Sequence, residues 1–391
     1  MTEPRIVRHV RRQMSRGFQP LSTWDREARL VPEDAADRAA PLRDDEGTRV
    51  AFVLPTHLRR ASGTADLDAW FEGLLVQLAE ARTAYPDVAI AVIVGMQWLS
   101  ADEEPTAVRR LRELSARAEA HPEVHFLGLS LQGPMKVRTL NAGIRLADEW
   151  GLTAVGWLDD DVELEPGCLR NLLGAFLAGG CRGAVGATKL PHTYRYLTSR
   201  LLHQAKAITE TATNYPHGCC ILVARGVVTG GIPDRYVCDD GYVCFRLLAP
   251  EADDPLHLLR LVPEARCHYY VAGPAGQTSR RIRRILLNAS VYLADWSYPV
   301  SRHYFRRILF DGMWPLTNWD ARKGHRHAAA KASIKWIYFG WFVRTAGELY
   351  LRGLLHRPLR QIDWAEYGPV VGPGLDQPDP AHPSPVSEAR R

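Results

Sequence analysis

The run AVGWLDDDVELEPGCLRNLLGAF, residues 154–176, decides how this chain is read. AVGWL (154–158) is a short apolar segment that reads as a buried strand. Three aspartates, Asp159, Asp160 and Asp161, follow it directly. After Pro166 the apolar spacing predicts a helix over 168–178. Adjacent carboxylates repel one another. At the end of a buried strand that repulsion is relieved by a bound cation or by raised pKa values. Hard divalent ions such as Mg2+ and Mn2+ prefer carboxylate oxygen and often share it with substrate phosphates. The plainer alternative is a solvated acidic turn.

Working outward, the preceding sequence repeats one pattern. VAFVLP (50–55), VAIAVIVG (88–95) and VHFLGLS (124–130) read as three further buried strands. Helical spacing lies between them at 66–83, 104–119 and 139–151. Strand and helix thus alternate about four times, the signature of a parallel sheet with helices on both faces. Ligands of such sheets sit at the carboxyl ends of the strands. Beyond 178 the pattern predicts strands at 183–190 and 218–225 and a helix at 240–249. Residues 1–47 mix both charge signs and read as an irregular arm with one helix near 22–30. Residues 276–367 read as a basic, aromatic helical region, and 368–391 as a disordered, proline-rich tail. The chain is therefore expected to hold an N-terminal arm (1–47), an α/β domain (48–275), the helical region and the tail.

Composition excludes several classes. The chain has 391 residues, 46% hydrophobic, with 49 Lys+Arg against 44 Asp+Glu. It is neither collagen-like nor globally disordered. The net charge of +5 is too small to point to nucleic acid. Seven cysteines, none in a CxxC pair, support neither a disulfide framework nor a zinc ribbon. They fit a reducing, cytoplasmic setting. The basic start lacks an apolar core, so it is not read as a secretory signal. The strong excess of Arg over Lys hints at a GC-rich bacterial genome.

Other residues gain weight from position. Lys136 and Asn141 lie between the third strand and its helix, where a lysine could offset phosphate charge. Asp239 and Asp240 open the helix after Gly230-Gly231. Helix capping explains them, and a positioned carboxylate there is also a candidate general base.

PTH after the first strand, KVRTLNAGI, WLDDDVELEPGCLRNLLGAF, HGCCILVARGVVTGGIPD and DDGYVCFRL together resemble the family 2 glycosyltransferases of GT-A fold. The resemblance covers roughly residues 50–290 and implies a Rossmann-like mixed sheet flanked by helices, with a C-terminal helical region. It implies a metal-dependent, inverting transfer from a nucleotide-diphosphate sugar, most often a UDP-sugar, with Mn2+ or Mg2+ as cofactor. Asp159 and Asp161 match the ends of the DxD motif, which holds metal and diphosphate, Asp161 being the more direct metal ligand and Asp160 lying between them in the donor site. Lys136, Asn141, Pro55 and Thr56 match donor-pocket positions. Asp240 matches the general base and Asp239 its acidic neighbour. Gly218, beside His217, matches the acceptor side. His268 matches a downstream metal ligand seen in some members, against the ordinary reading of a structural histidine.

Three departures stand out. The base-reading acidic residue after the second strand is replaced by VIVGMQWLSADEE, leaving Gln97 or Asp102 as substitutes. The QxxRW signature is replaced by GQTSRRIRRIL, leaving Arg281 and Arg284 as diphosphate contacts or as a solvated basic face. The flanking membrane helices of processive synthases are missing, which favours non-processive transfer to an acceptor the sequence does not identify. The rival readings are a nucleotidyltransferase, for which Arg59, Arg60 and Gly63 do not make a convincing glycine-rich loop, a non-catalytic scaffold subunit, and an unrelated metal-dependent hydrolase.

The charge is unevenly spread. Residues 280–360 hold 16 Lys+Arg against 4 Asp+Glu. An acidic catalytic portion is therefore joined to a basic, aromatic one. The second suits an anionic partner or a peripheral membrane surface at the inner face of the membrane. Its band of Trp336, Tyr338, Phe339, Trp341 and Phe342 also reads as core or as the face of a homo-oligomer.

Overall fold

The computed structural model describes residues 2–20, 28–32, 42, 47–58, 65–133, 135–191, 216–236, 238–269, 275–310, 314–317 and 319–360. In chain order the strands are β1 (Phe18–Gln19), β2 (Arg29–Val31), β3 (Thr48–His57), β4 (Val88–Trp98), β5 (Val124–Gln132), β6 (Ala154–Leu158), β7 (Val162–Leu164), β8 (Ala184–Pro191), β9 (Cys220–Ala224), β10 (Leu259–Tyr269) and β11 (Leu359–Arg360). The helices are α1 (Arg5–Arg16), α2 (Ala65–Ala84), α3 (Glu104–Ala118), α4 (Lys136–Glu149), α5 (Cys168–Ala178), α6 (Arg225–Val228), α7 (Asp239–Leu247), α8 (Ala275–Asp295), α9 (Tyr298–His303) and α10 (Gly324–Leu354). The chain divides into two compact units, one of residues 21–190 and 214–269, the other of 1–20, 191–213 and 270–391.

The first unit is a nine-stranded mixed sheet of order β2-β5-β4-β3-β6-β9-β8-β10-β7. Its centre is the parallel run β5-β4-β3-β6, the four strands expected from their apolar runs. Every residue of β4 is buried, as a strand covered on both faces requires. Helices α2 and α3 touch each other, and α2 also packs on α5. Helix α4 instead packs on the central strands and on α6. The crossover leaving β5 returns past β4 and β3 to reach β6, so it takes the opposite face of the sheet. Strand order therefore reverses between β3 and β6, and ligands of such sheets bind beyond the carboxyl ends of the strands at that point.

Glycine seats α4 closely on that sheet. A side chain at Gly143 would stand 2.5 Å from Val53 Cγ2, and one at Gly95 would strike Thr139. The edge strands β2 and β7, and β10 next to β7, were not expected. β7 follows the aspartate run and pairs antiparallel with β10, His268 opposite Glu163.

The second unit is helical. Ile282, Leu286, Leu293 and Phe342 form its core, with Tyr304, Phe305, Tyr338 and Phe339 packed against it. Helix α1 packs on α8 and α10, and Arg11 donates to the carbonyl of Leu293 at 2.7 Å. Residues 5–16 were expected to be irregular. Five arginines and a histidine among 1–17 hide the helical spacing of Ile6, Val10 and Met14. The helix expected near 22–30 falls largely outside the described residues, and its end, Arg29–Val31, is strand β2 paired with β5. The tail at 368–391 also lies outside them. Among the described residues no helix is long and apolar enough to cross a membrane.

Gly95→Val forces Thr139 and α4 off the sheet. It is expected to lower unfolding stability by about 1–3 kcal/mol, read as a reduced urea midpoint.

Candidate functional site

The carboxyl ends of β3 and β6 carry the first half of the site. Val53 is level with Trp157 in the parallel register. Three residues further on both strands, the buried Thr56 hydroxyl donates to Asp160 Oδ2 at 2.7 Å. Pro55, half-buried beside it, is level with Gly95. The backbone N–H of Asp159 donates to the Cys219 carbonyl at 2.9 Å, so β9 fixes where the aspartate run leaves the sheet.

Lys136 is the first residue of α4. A cation at a helix N-terminus opposes the helix dipole, so its position needs a local compensation. Its Nζ lies 2.7 Å from Asp159 Oδ1 and 3.2 Å from Asp239 Oδ2. It also donates to the Gly218 carbonyl at 2.8 Å. Burial works against the ammonium, but Asp159 and Asp239 outweigh it and raise the lysine pKa. One side chain thus ties together the aspartate run after β6, the turn before β9 and the start of α7.

Asp239 and Asp240 begin α7, where the dipole favours carboxylates. Their surroundings differ. Asp239 is 5% exposed. Burial pushes its carboxyl up to about 6 against the pull of Lys136, with Asp240 and Asp159 reinforcing the rise. Asp240 is half-buried and accepts from the backbone N–H of Gly241 at 2.7 Å and of Gly218 at 3.3 Å. Gly218 sits between the two: a side chain there would come 2.5 Å from Asp239 Oδ2. His217 is half-buried next to it. Cys219 and Cys220 are buried, and Cys219 Sγ lies 3.7 Å from Cys267 Sγ.

The other candidate residues have contacts of their own. Asn141 spans the left-handed turn at Gly230 and Gly231 (φ +82° and +89°). Its amide donates to the Ile232 carbonyl at 2.8 Å and accepts from the Ile232 N–H at 2.7 Å. Gln97 is buried and donates to the Met135 carbonyl at 2.6 Å, so it steadies the chain just before Lys136. Asp102 lies exposed in a one-turn helix capped by Ser100 and Glu103, and the Ser100 hydroxyl holds its carboxyl below the usual range. His268 Nε2 is 2.7 Å from Glu165 Oε1. Arg284 is half-buried on α8 in the helical unit, and the Arg281 side chain lies outside the described residues, as do Arg59, Arg60 and Gly63.

Asp159 and Asp239 thus meet at the Lys136 ammonium, with Asp240 next in α7 and Asp161 half-buried at the end of the aspartate run. Hard oxygen donors in such excess of negative charge suit a divalent cation. Among the described residues no group of three or more His, Cys, Asp or Glu is placed to hold a metal ion by itself. Mg2+ is ordinarily held by one or two carboxylates completed by substrate phosphate.

No family model matches the chain, and no curated protein does. Among solved structures it is similar to the mannosyltransferase PcManGT from Pyrobaculum calidifontis in complex with GDP-Man and Mn2+. That likeness has 18% identity and a TM-score of 0.44, over 83% of this chain and 92% of that one. It is also similar to TarS of S. aureus, with 11% identity and a TM-score of 0.37, covering 78% of this chain and 55% of TarS. Both likenesses are too loose to carry a functional reading.

Lys136→Met leaves Asp159 and Asp239 without their shared cation, and is expected to cost about 3–5 kcal/mol of stability at neutral pH. The sign for Asp239 follows from its raised pKa. Its proton is held more tightly in the folded state, so its contribution is full below about 4 and is lost as pH rises through about 6. Asp239→Asn flattens that part of the profile. Chemical unfolding at a series of pH values reads both effects.

Proposed function

We propose that this protein is a metal-dependent, inverting glycosyltransferase that moves a sugar from a nucleotide-diphosphate donor to an acceptor nucleophile. The observation that carries this reading is the Lys136 ammonium, 2.7 Å from Asp159 and 3.2 Å from Asp239. It joins the aspartate run to the carboxylate pair across the crevice where ligands of such sheets bind. The motif order seen in the sequence agrees with this placement.

Asp159 and Asp161 would hold the Mn2+ or Mg2+ ion, which when bound neutralises the charge developing on the departing diphosphate. Lys136 supplies a fixed positive charge for the same end of the donor. Thr56 keeps Asp160 turned toward β3, and Pro55 lines the strand end that faces the nucleotide. Asp240 is the general base. Its carboxylate is aimed by the Gly218 and Gly241 N–H groups and takes the acceptor proton as the new glycosidic bond forms. A base opposite the leaving group gives one displacement with inversion, and no covalent intermediate is required. Asp239 positions Lys136. His217 and Gly218 border the acceptor side. Asn141 acts through the Gly230–Ile232 turn. His268 bonded to Glu165 is not needed as a ligand.

After β4 the residues offered for the donor base are Gln97, which also holds the Met135 carbonyl, and the exposed Asp102. A UDP-sugar is the first donor to test. A nucleotidyltransferase would use the same carboxylates but has no use for Asp240 as a base toward a sugar acceptor.

Asp161→Ala is expected to abolish Mn2+-dependent binding of UDP-sugars by calorimetry. Asp240→Asn is expected to keep that binding while lowering turnover by about 10²–10⁴-fold. Full turnover in both variants would sink the assignment. A thermal-shift screen of nucleotide-diphosphate sugars with Mn2+ identifies the donor through linkage, and no response to any of them would favour a scaffold role.

A further inference from the structure

The helical unit carries a face that its own core does not use. Helix α10 buries Ala328, Ala332, Phe342, Leu349 and Gly353 along one side. The other side bears Trp336, Ile337, Trp341, Val343, Leu351 and Leu354, each between 41% and 56% exposed. At 100° per residue these six fall within an arc of about 160° on a helix about 46 Å long. Trp314, Leu316 and Trp319, just before the helix, are also exposed, and Trp314 packs edge-on to Trp336. Apolar surface of this extent marks a contact site.

Cations frame it. Arg344, Arg352 and Arg357 line an open groove of about 580 Å³ whose floor includes Leu351 and Leu355. Its one acid, Glu348, is paired with Arg352 at 2.9 Å and with Arg283 at 3.3 Å. A second groove, of about 350 Å³, sets Arg302 and Arg306 beside Phe305 and Phe310. Guanidinium groups over an apolar floor match a phosphate headgroup with its acyl chain.

We propose that this face docks the protein onto the surface of an anionic lipid bilayer. Exposed tryptophans suit the boundary between headgroups and acyl chains. Arginines attract an anionic surface. With no described helix able to cross a membrane, α10 lies in the plane of the interface. A second copy of the chain is the other occupant to weigh. It would bring one strongly basic face against another, since residues 280–360 hold 16 Lys+Arg and 4 Asp+Glu, and like charges oppose that pairing. The inference is independent of the catalytic reading.

The test is sedimentation of the full chain with phosphatidylcholine vesicles, with and without phosphatidylglycerol. Binding is expected to the anionic vesicles, to weaken as NaCl is raised, and to bring tryptophan quenching by brominated lipid. Trp336→Ala with Trp341→Ala is expected to weaken partitioning about tenfold or more, and Arg344→Glu with Arg357→Glu to remove the preference for anionic lipid. Both pairs are exposed or lie on the groove rim, so thermal melts should match the parent. If a pair fails to fold, brominated-lipid quenching of the parent protein decides. Equal binding to neutral and anionic vesicles overturns the proposal, as does no binding to either. So does a dimer in sedimentation velocity that the tryptophan pair dissolves while vesicle binding is absent.

Discussion

The site depends on one ammonium held among carboxylates. Lys136 opens α4 against its own helix dipole, and only the charge of Asp159 and Asp239 makes that position favourable. The arrangement is reciprocal. Without Lys136, Asp159 and the buried Asp239 would face each other's repulsion in a poorly solvated crevice. Three segments far apart in sequence therefore share one electrostatic balance. None can be moved without disturbing the other two.

The sheet supplies the geometry that this balance needs. Because β6 joins β3 after the chain has passed β4 and β5, the aspartate run leaves the sheet next to the end of β3, and Thr56 meets Asp160 there. The antiparallel neighbour β9 then brings Gly218 to the same level, fixed by the bond from Asp159 N–H to Cys219. Glycine is needed at 218 because Asp239 already fills the place of a side chain. Asn141 and the paired glycines at 230 and 231 set the path from β9 into α7.

Much of the fold was legible because it is written in local pattern. The four parallel strands are continuous apolar runs, and the helices between them keep a clean spacing. The structure returns both with ends shifted by a few residues. What escaped was short, edge-bound or masked by charge. β7 and β2 are three residues each and gain their pairing only from β10 and β5. Helix α1 hides its apolar spacing behind arginines. At the site, residue types announced the acidic run, but not what each side chain would touch. Gln97, one of two residues offered as a substitute base reader, proves to hold the Met135 carbonyl, a contact its residue type does not announce. Lys136 was expected at the donor pocket, but its pairing with Asp239, 103 positions away, is not legible in either local segment.

Asp239 and Asp240 show how far environment separates identical neighbours. Both stand at the start of α7 and both gain from its dipole. Asp239 turns inward to Lys136, loses water and has its carboxyl raised to about 6. Asp240 turns to the Gly218 and Gly241 N–H groups and keeps partial access to solvent. A group bound in an ion pair is poorly placed to accept a substrate proton, whereas one oriented by backbone donors and open to the crevice is well placed. In the proposed reading the pair therefore divides into a positioning carboxylate and a reacting one. Gly218, whose carbonyl serves Lys136 and whose N–H serves Asp240, is the backbone unit that keeps the two roles apart.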